Sequence, residues 1–254
     1  MTWKVIGASA TGSSHQETAT PCQDAFHWSC YQDWLVALVC DGAGSARFSD
    51  RGAQHAARSI TEALIFILSN ELSEPERNDI NFWQERVQIA IEATRNSLLT
   101  THVTVDSSLR DFHATIVGVI AGPEIGLFFQ IGDGAAAAAL TSSWENPTLA
   151  LPENGEYADE TYFYTEDHWK EHLRFTAFSP ALNYIVMVTD GAMSFVVARD
   201  RRGLDENFIG PVTRYLNTVE TETGARALQS TLDDPKTYAI TSDDKTLLWA
   251  RRSE

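Results

Sequence analysis

A chain of 254 residues with 43% apolar and 21% charged residues has the composition of a folded globular protein, long for one domain without clearly making two. Its 19 Lys and Arg against 35 Asp and Glu give a formal charge of −16, so a phosphate backbone or an anionic membrane surface is a poor partner. The start has no signal-peptide pattern, no window approaches the roughly 18 apolar residues of a membrane span, and Cys22, Cys30 and Cys40 form no CxxC pair. These features predict a cytoplasmic protein with reduced thiols, Cys22 being a small buried side chain rather than a reactive one.

Trp3 to Ala10, Ala25 to Ser29 and Leu35 to Cys40 read as strands, and the polar stretch Thr11 to Asp24 between the first two reads as a functional or disordered loop. A small-residue loop, Gly42-Ala43-Gly44-Ser45, leads into a helix from near Ser49 that places Ala53, Ala56, Ala57, Ile60, Leu64 and Leu68 on one face. A second helix is predicted after Asn81 as its cap, with Gln84 at the capping-box position. Phe112 to Ala121 and Gly126 to Ile131 read as strands joined through the hairpin sequence Gly122-Pro123-Glu124-Ile125. Ala135 to Leu140 is a further hairpin strand or a short helix, since an Ala run is helix-prone; its position favours the strand. Residues 141–170 mix Pro, acids and aromatics and read as a flap-like insertion within a single domain spanning 1–254.

Leu173 to Phe178 and Tyr184 to Thr189 follow as strands, then helical stretches near Ala192 to Ala198, Pro211 to Asn217 and Thr223 to Leu232, and a final strand from Thr246 to Ala250. Hairpin-linked strands with helices in blocks predict an α+β sandwich of antiparallel sheets covered by helices.

Three of these apolar runs end in an Asp-Gly step: Cys40 into Asp41-Gly42, Ile131 into Gly132-Asp133-Gly134, and Thr189 into Asp190-Gly191. Gly after the acid lets the backbone turn sharply, with the carboxylate at the sheet edge. Asp24 precedes one strand and Asp243-Asp244 precede another. Carboxylates gathered at one edge repel unless a cation neutralises them, and all-oxygen ligands favour Mg²⁺ or Mn²⁺ over Zn²⁺. The competing reading makes each Asp-Gly an ordinary turn.

In chain order, Pro21-Cys22-Gln23-Asp24-Ala25, Val39-Cys40-Asp41-Gly42-Ala43-Gly44-Ser45, Gln130-Ile131-Gly132-Asp133-Gly134, Val188-Thr189-Asp190-Gly191 and Asp243-Asp244-Lys245-Thr246 resemble the metal-ligand motifs of the metal-dependent (type 2C, PPM) serine/threonine protein phosphatases. Gly12-Ser13-Ser14-His15 and Gly155-Glu156-Tyr157-Ala158 look like a compact bacterial branch of that family. The resemblance implies a four-layer α-β-β-α sandwich and a binuclear Mn²⁺ or Mg²⁺ centre. Asp41 would bridge the ions, Asp24 and the Gly42 carbonyl would complete one side, Asp190 and Asp243 would hold the other, and Asp133 would serve a third, weaker ion. Two cations about 3.5–4 Å apart activate water for in-line attack on phosphorus, so no nucleophilic side chain is required.

Three positions depart from the family pattern. Gln23 stands where a Glu is common, Ala19 about where an Arg binds phosphate, and Ala43 where a His often follows the bridging Asp-Gly. His15 is the substitute candidate by type and location, as proton donor or phosphate contact; the competing reading is a loop His bonded to backbone or water. Arg47 and Arg51 could reach a phosphate or could sit in solvent. His55, His102, His113, His168 and His172 show no ligand spacing and receive no metal role. The function implied is hydrolysis of phosphoserine and phosphothreonine in proteins; the alternatives are a partner-binding pseudophosphatase and a hydrolase of small phosphoesters. Relatives of the compact branch often accompany a Ser/Thr kinase and a von Willebrand-type protein, which implies a stress-response phosphorylation circuit.

Overall fold

The computed structural model describes residues 2–70, 74–152 and 161–253. Their strands form two five-stranded antiparallel sheets. One has the order β1 (Trp3–Ala10), β10 (Lys245–Arg252), β9 (Tyr184–Val188), β6 (Ala135–Ala139), β7 (Thr148–Ala150). The other has the order β2 (Ala25–Tyr31), β3 (Trp34–Cys40), β4 (Ile116–Ala121), β5 (Gly126–Ile131), β8 (Arg174–Phe178). Helices α2 (Ser49–Asn70) and α4 (Ile80–Thr101) cover the second sheet, and α5 (Asp190–Val196), α6 (Glu206–Thr218) and α7 (Thr221–Leu232) cover the first. The short helices are α1 (Ser13–Thr18), α3 (Glu74–Arg77) and α8 (Pro235–Tyr238).

β3 is apolar at every position because both of its faces are covered. Val36, Leu38 and Cys40 pack with Ala53, Ile60 and Leu64 of α2, while Leu35, Ala37 and Val39 pack against the facing sheet, beside Met187 and Leu248. β10 divides in the same way, Leu247 and Trp249 lying under the helices of its own sheet and Leu248 and Ala250 between the sheets. Period-two alternation thus separates two cores within one apolar run, and the four-layer α-β-β-α arrangement follows.

Several local expectations change. The polar stretch after β1 holds α1, stopped by Ala19 in the left-handed conformation, φ 54°. The cap of α4 is Asp79, whose carboxylate accepts the Asn81 N–H at 2.9 Å, so the helix begins before the predicted cap. Phe112 ends a 3-10 turn from Leu109, held by a Ser108–Asp111 capping box, and β4 starts only at Ile116. Helix α6 starts five residues before Pro211, because Asp205 caps it. β6 is a strand, as its position predicted, but it forms no hairpin with β5; it crosses to the other sheet and pairs with β9 and β7. Within 141–170, β7 closes the edge of that sheet, and Gly155 to Ala158 lie outside the described residues.

Candidate metal centre

Antiparallel registers bring the acids to one edge. Ala25 pairs with Cys40, so Asp24 entering β2 lies beside Asp41 leaving β3. Val188 pairs with both Leu247 and Ala135, so Asp190 leaving β9 sits between the approach to β10, which carries Asp243, and the crossover carrying Asp133. Three acids therefore follow strands and two precede them, yet all share one end of the sandwich.

Glycine acts here through close approach more than through turning. A Cβ on Gly42 would lie 2.7 Å from the carbonyl oxygens of Gln23 and Ser49, and one on Gly191 would lie 1.9 Å from that of Asp244. Of the Asp-Gly regions, only Gly132 has a positive φ, 102°, so the sharp turn expected after each acid occurs before Asp133 and not after Asp41 or Asp190. Asp190 instead opens α5, where a helix N-terminus favours its negative charge.

One carboxylate oxygen from each of Asp41, Asp133 and Asp190 lies within 4.8 Å of the others. Burial pushes the Asp41 carboxyl well above the usual range, and the charges of Asp24, Asp190, Asp243 and Asp133 push it the same way. Burial raises Asp24 to about 7, against hydrogen bonds from Thr189, Thr246 and Asp41 that favour its charge. Asp190 rises to about 6 through burial and the charges of Asp133 and Asp243. The Asp41 carboxyl therefore feels all four of the other predicted carboxylates.

Fixed donors serve only part of this acceptor set. The Thr189 hydroxyl donates to Asp24 Oδ2 at 2.7 Å and the Thr161 hydroxyl to Asp133 Oδ2 at 2.6 Å. The Asp41 N–H donates to Thr115 Oγ1 at 3.0 Å. Asp24 Oδ1, Asp133 Oδ1 and Gln23 Oε1 are buried with no hydrogen-bond donor among the described residues. Buried carboxylate oxygens facing like charges without such a donor fit a hard cation. The residues present thus fit the divalent-metal expectation.

Asp244 performs a different task. At 2% exposure, it accepts the N–H of Gly12 at 2.6 Å through Oδ1 and the N–H of Gln23 at 2.6 Å through Oδ2. His15 Nδ1 lies 3.0 Å from the same Oδ2, so His15 is bonded to a buried carboxylate. Asp244 therefore ties the α1 segment and the residue before Asp24 to the start of β10. This anchor, together with Thr115, Thr161 and Thr189, was not singled out in the sequence; Thr189 and Asp244 are the direct neighbours of Asp190 and Asp243.

The arginines after the Asp41 loop are engaged elsewhere. Arg47 and Arg51 lie over the Phe48 ring at 4.3 and 5.1 Å, and Arg47 donates to the Asp106 carbonyl at 3.1 Å. None of the five unassigned histidines joins the carboxylate trio. Cys22 is only half-buried, and burial followed by the Asp24 charge pushes its thiol up, away from reactivity.

The metal-free chain carries a stability consequence of definite sign. The Asp24 and Asp190 carboxyls titrate higher folded than unfolded, so the stability they contribute is complete below about pH 4 and is lost as pH rises through about 6 and 7. In chelator the urea midpoint is expected to fall from pH 5 to pH 8, and added Mn²⁺ to raise it more at pH 8 than at pH 5. A flat profile with no metal effect would contradict the clustering of the acids.

Stacked antiparallel sheets under helices, with carboxylates gathered at one edge, define the class of the type 2C protein phosphatases. The Protein phosphatase 2C family model matches residues 11–233, and the chain belongs to that family; it is a serine/threonine protein phosphatase. It is 28% identical over 261 residues to Serine/threonine-protein phosphatase 3 of Escherichia coli (strain K12), covering 98% of this chain and 100% of that protein. Its fold is similar to that of the serine/threonine phosphatase Stp1 from Staphylococcus aureus, with TM-score 0.66, 13% identity, and 100% of this chain and 96% of the other covered. It is also similar to RsbX in complex with magnesium, with TM-score 0.55, 13% identity and 99% and 96% covered.

Proposed function

We propose that this chain hydrolyses phosphoserine and phosphothreonine in proteins at a binuclear Mn²⁺ or Mg²⁺ centre. The observation that carries this reading is the convergence of five aspartates with buried, donor-free oxygens on Asp24 and Asp133. In it Asp41, Asp24 and the Gly42 carbonyl would hold one ion, Asp190 and Asp243 with Asp41 the other, and Asp133 would serve a third. RsbX, of similar fold, is in complex with magnesium, which supports a divalent ion in this reading.

Such ions, when bound, supply Lewis acidity at the phosphoryl group and activate water for in-line attack. The chain's own residues supply the rest. The Asp41, Asp190 and Asp243 carboxylates would hold the ions at the shared end of the sandwich. Because the Asp244 carboxylate only accepts, the proton on His15 rests on Nδ1, and an imidazolium form can release the Nε2 proton to a leaving oxygen or hold it on a phosphate oxygen. His15→Ala is then expected to slow an aryl phosphate with a poor leaving group more than one with a good leaving group. Equal losses would make His15 a phosphate contact, and no loss would remove it from the reaction.

The test of the whole reading is release of phosphate from a chromogenic aryl phosphate and a phosphothreonine peptide. Turnover is expected only with Mn²⁺ or Mg²⁺; robust turnover in chelator would overturn the metal reading. Metal binding without turnover would favour a pseudophosphatase, to which Ala19 and Ala43 would then be assigned.

The reading takes residues 1–254 as one phosphatase domain with a flap-like insertion around 141–170. Its proposed setting is the cytoplasm, supported by three free cysteines and by described helices none of which is long and apolar enough to cross a membrane. A cognate Ser/Thr kinase and a von Willebrand-type protein are the proposed signalling partners, on the family resemblance; co-purification from cells is the check.

A further inference from the structure

A cavity of about 570 Å³ lies between the end of α4 with the turn that follows it and the segment 165–168, with His113 in its wall. His113 is joined to the cluster by a short run of chain and backbone hydrogen bonds. The Gly42 region pairs with Ala114, the Ala43 N–H donates to the His113 carbonyl at 2.9 Å, and Tyr164 N–H donates to the Ala114 carbonyl at 3.1 Å. Residues 113–115 therefore run between the Asp41 loop and the segment that carries Thr161, the donor to Asp133. Thr115 touches Asp41, and His113 lies two residues back along extended chain, about 7 Å away at strand rise.

His113 is directly across from Ala43, so an imidazole stands next to the position where the chain itself has only a methyl group. Its ring is held: Nδ1 lies 2.6 Å from Thr165 Oγ1, and the ring stacks on Phe163 at 4.8 Å between centroids. Burial lowers its pKa, which favours a neutral ring with Nε2 as the remaining polar atom.

The charges lining the cavity are unequal in availability. Glu166 accepts the Phe163 N–H at 3.3 Å, and Asp167 lies 3.9 Å from Arg95. The Arg110 side chain, exposed at the cavity wall, makes no ion pair or hydrogen bond with the described residues. His168 is also exposed there. In a chain of net charge −16, this leaves an unpaired cation beside a held imidazole within reach of the carboxylate cluster.

We infer that this cavity receives an acidic side chain of the phosphoprotein substrate about two residues from the phosphorylated one, with Arg110 as its charge partner and His113 as its hydrogen-bonding contact. An extended peptide advances about 7 Å in two residues, the same span that separates His113 from the Thr115 contact to Asp41. The inference rests on the phosphoprotein reading above and adds a sequence preference to it.

The experiment compares phosphothreonine peptides that carry Glu, Ala or Lys two residues before or after the phosphothreonine, with an aryl phosphate as the substrate that cannot reach the cavity. At one of the two positions the Glu peptide is expected to exceed the Lys peptide in kcat/KM by about tenfold at low salt, fading as salt is added. Arg110→Glu is expected to cut that preference about fivefold or more, and His113→Gln to weaken it, each beyond any loss on the aryl phosphate. No preference in the unaltered chain, the same ranking after Arg110→Glu, or equal losses on peptides and aryl phosphate would overturn it. Fluorescence anisotropy of labelled peptides on the Mn²⁺-loaded chain separates the two readings. Charge-selective binding without phosphate release would support the cavity assignment and sink hydrolysis. Hydrolysis of all peptides at one rate would sink the cavity assignment alone.

Discussion

Asp41→Asn is expected to lower kcat/KM with Mn²⁺ by about three orders of magnitude, equivalent to roughly 4 kcal/mol of transition-state stabilisation, while the chain stays folded. The reasoning joins two observations about one side chain. Its carboxyl is buried among Asp24, Asp190, Asp243 and Asp133, all of which oppose its charge, so in the metal-free protein that charge works against folding. Asn keeps the volume and removes the charge. The variant is therefore expected to match or exceed the unaltered chain in urea midpoint without metal, and to lose the stabilisation that Mn²⁺ confers. Loss of activity with retained stability is the signature of a site built at the expense of the fold. Asp190→Asn is expected to act in the same direction. Near-normal kinetics in both folded variants would remove Asp41 and Asp190 from the metal centre.

Asp244→Ala is expected to produce the largest loss of stability among the acids, with the opposite pattern. Its two oxygens accept the backbone N–H groups of Gly12 and Gln23 in buried positions, and it also holds His15. Each buried donor left unpaired costs about 1–3 kcal/mol, so the two N–H groups together imply on the order of 2–6 kcal/mol. The residue after Gln23 is Asp24, so the same change loosens one side of the carboxylate cluster and is expected to weaken Mn²⁺ activation as well. Denaturant unfolding of the metal-free chain, compared with the Mn²⁺ activation curve, separates the two effects. A variant as stable as the unaltered chain would show that the segment from Gly12 to Gln23 is held by other contacts.

The chain's helical insertions and loops were less legible than its strands, for local reasons. Asp79 and Asp205 cap their helices through an N–H two residues ahead, and each lies in a polar stretch where several residues could serve. The α1 segment has no buried residue and no side-chain cap bond, so neither periodicity nor capping announces it. Its position comes from Asp244 and from Ser242, whose carbonyl accepts the Ser14 N–H at 3.2 Å.

What the sequence by itself determined is the strand character of the apolar runs that became β3, β5 and β9 and the presence of an acid at the end or start of each strand that borders the site, because apolar runs and Asp-Gly steps are local patterns. Which strands pair, and in which sheet, was decided only in three dimensions. The Ala135–Ala139 strand could have continued the β4–β5 hairpin, and it crosses instead to β9, bringing Asp133 against Asp190. Nothing in an Ala run encodes that choice; it follows from register against Tyr184–Val188 and from the positive φ of Gly132 that turns the chain between sheets. The cluster therefore exists because antiparallel pairing returns distant strand ends to one edge, a property of the assembled sheets and not of any one motif.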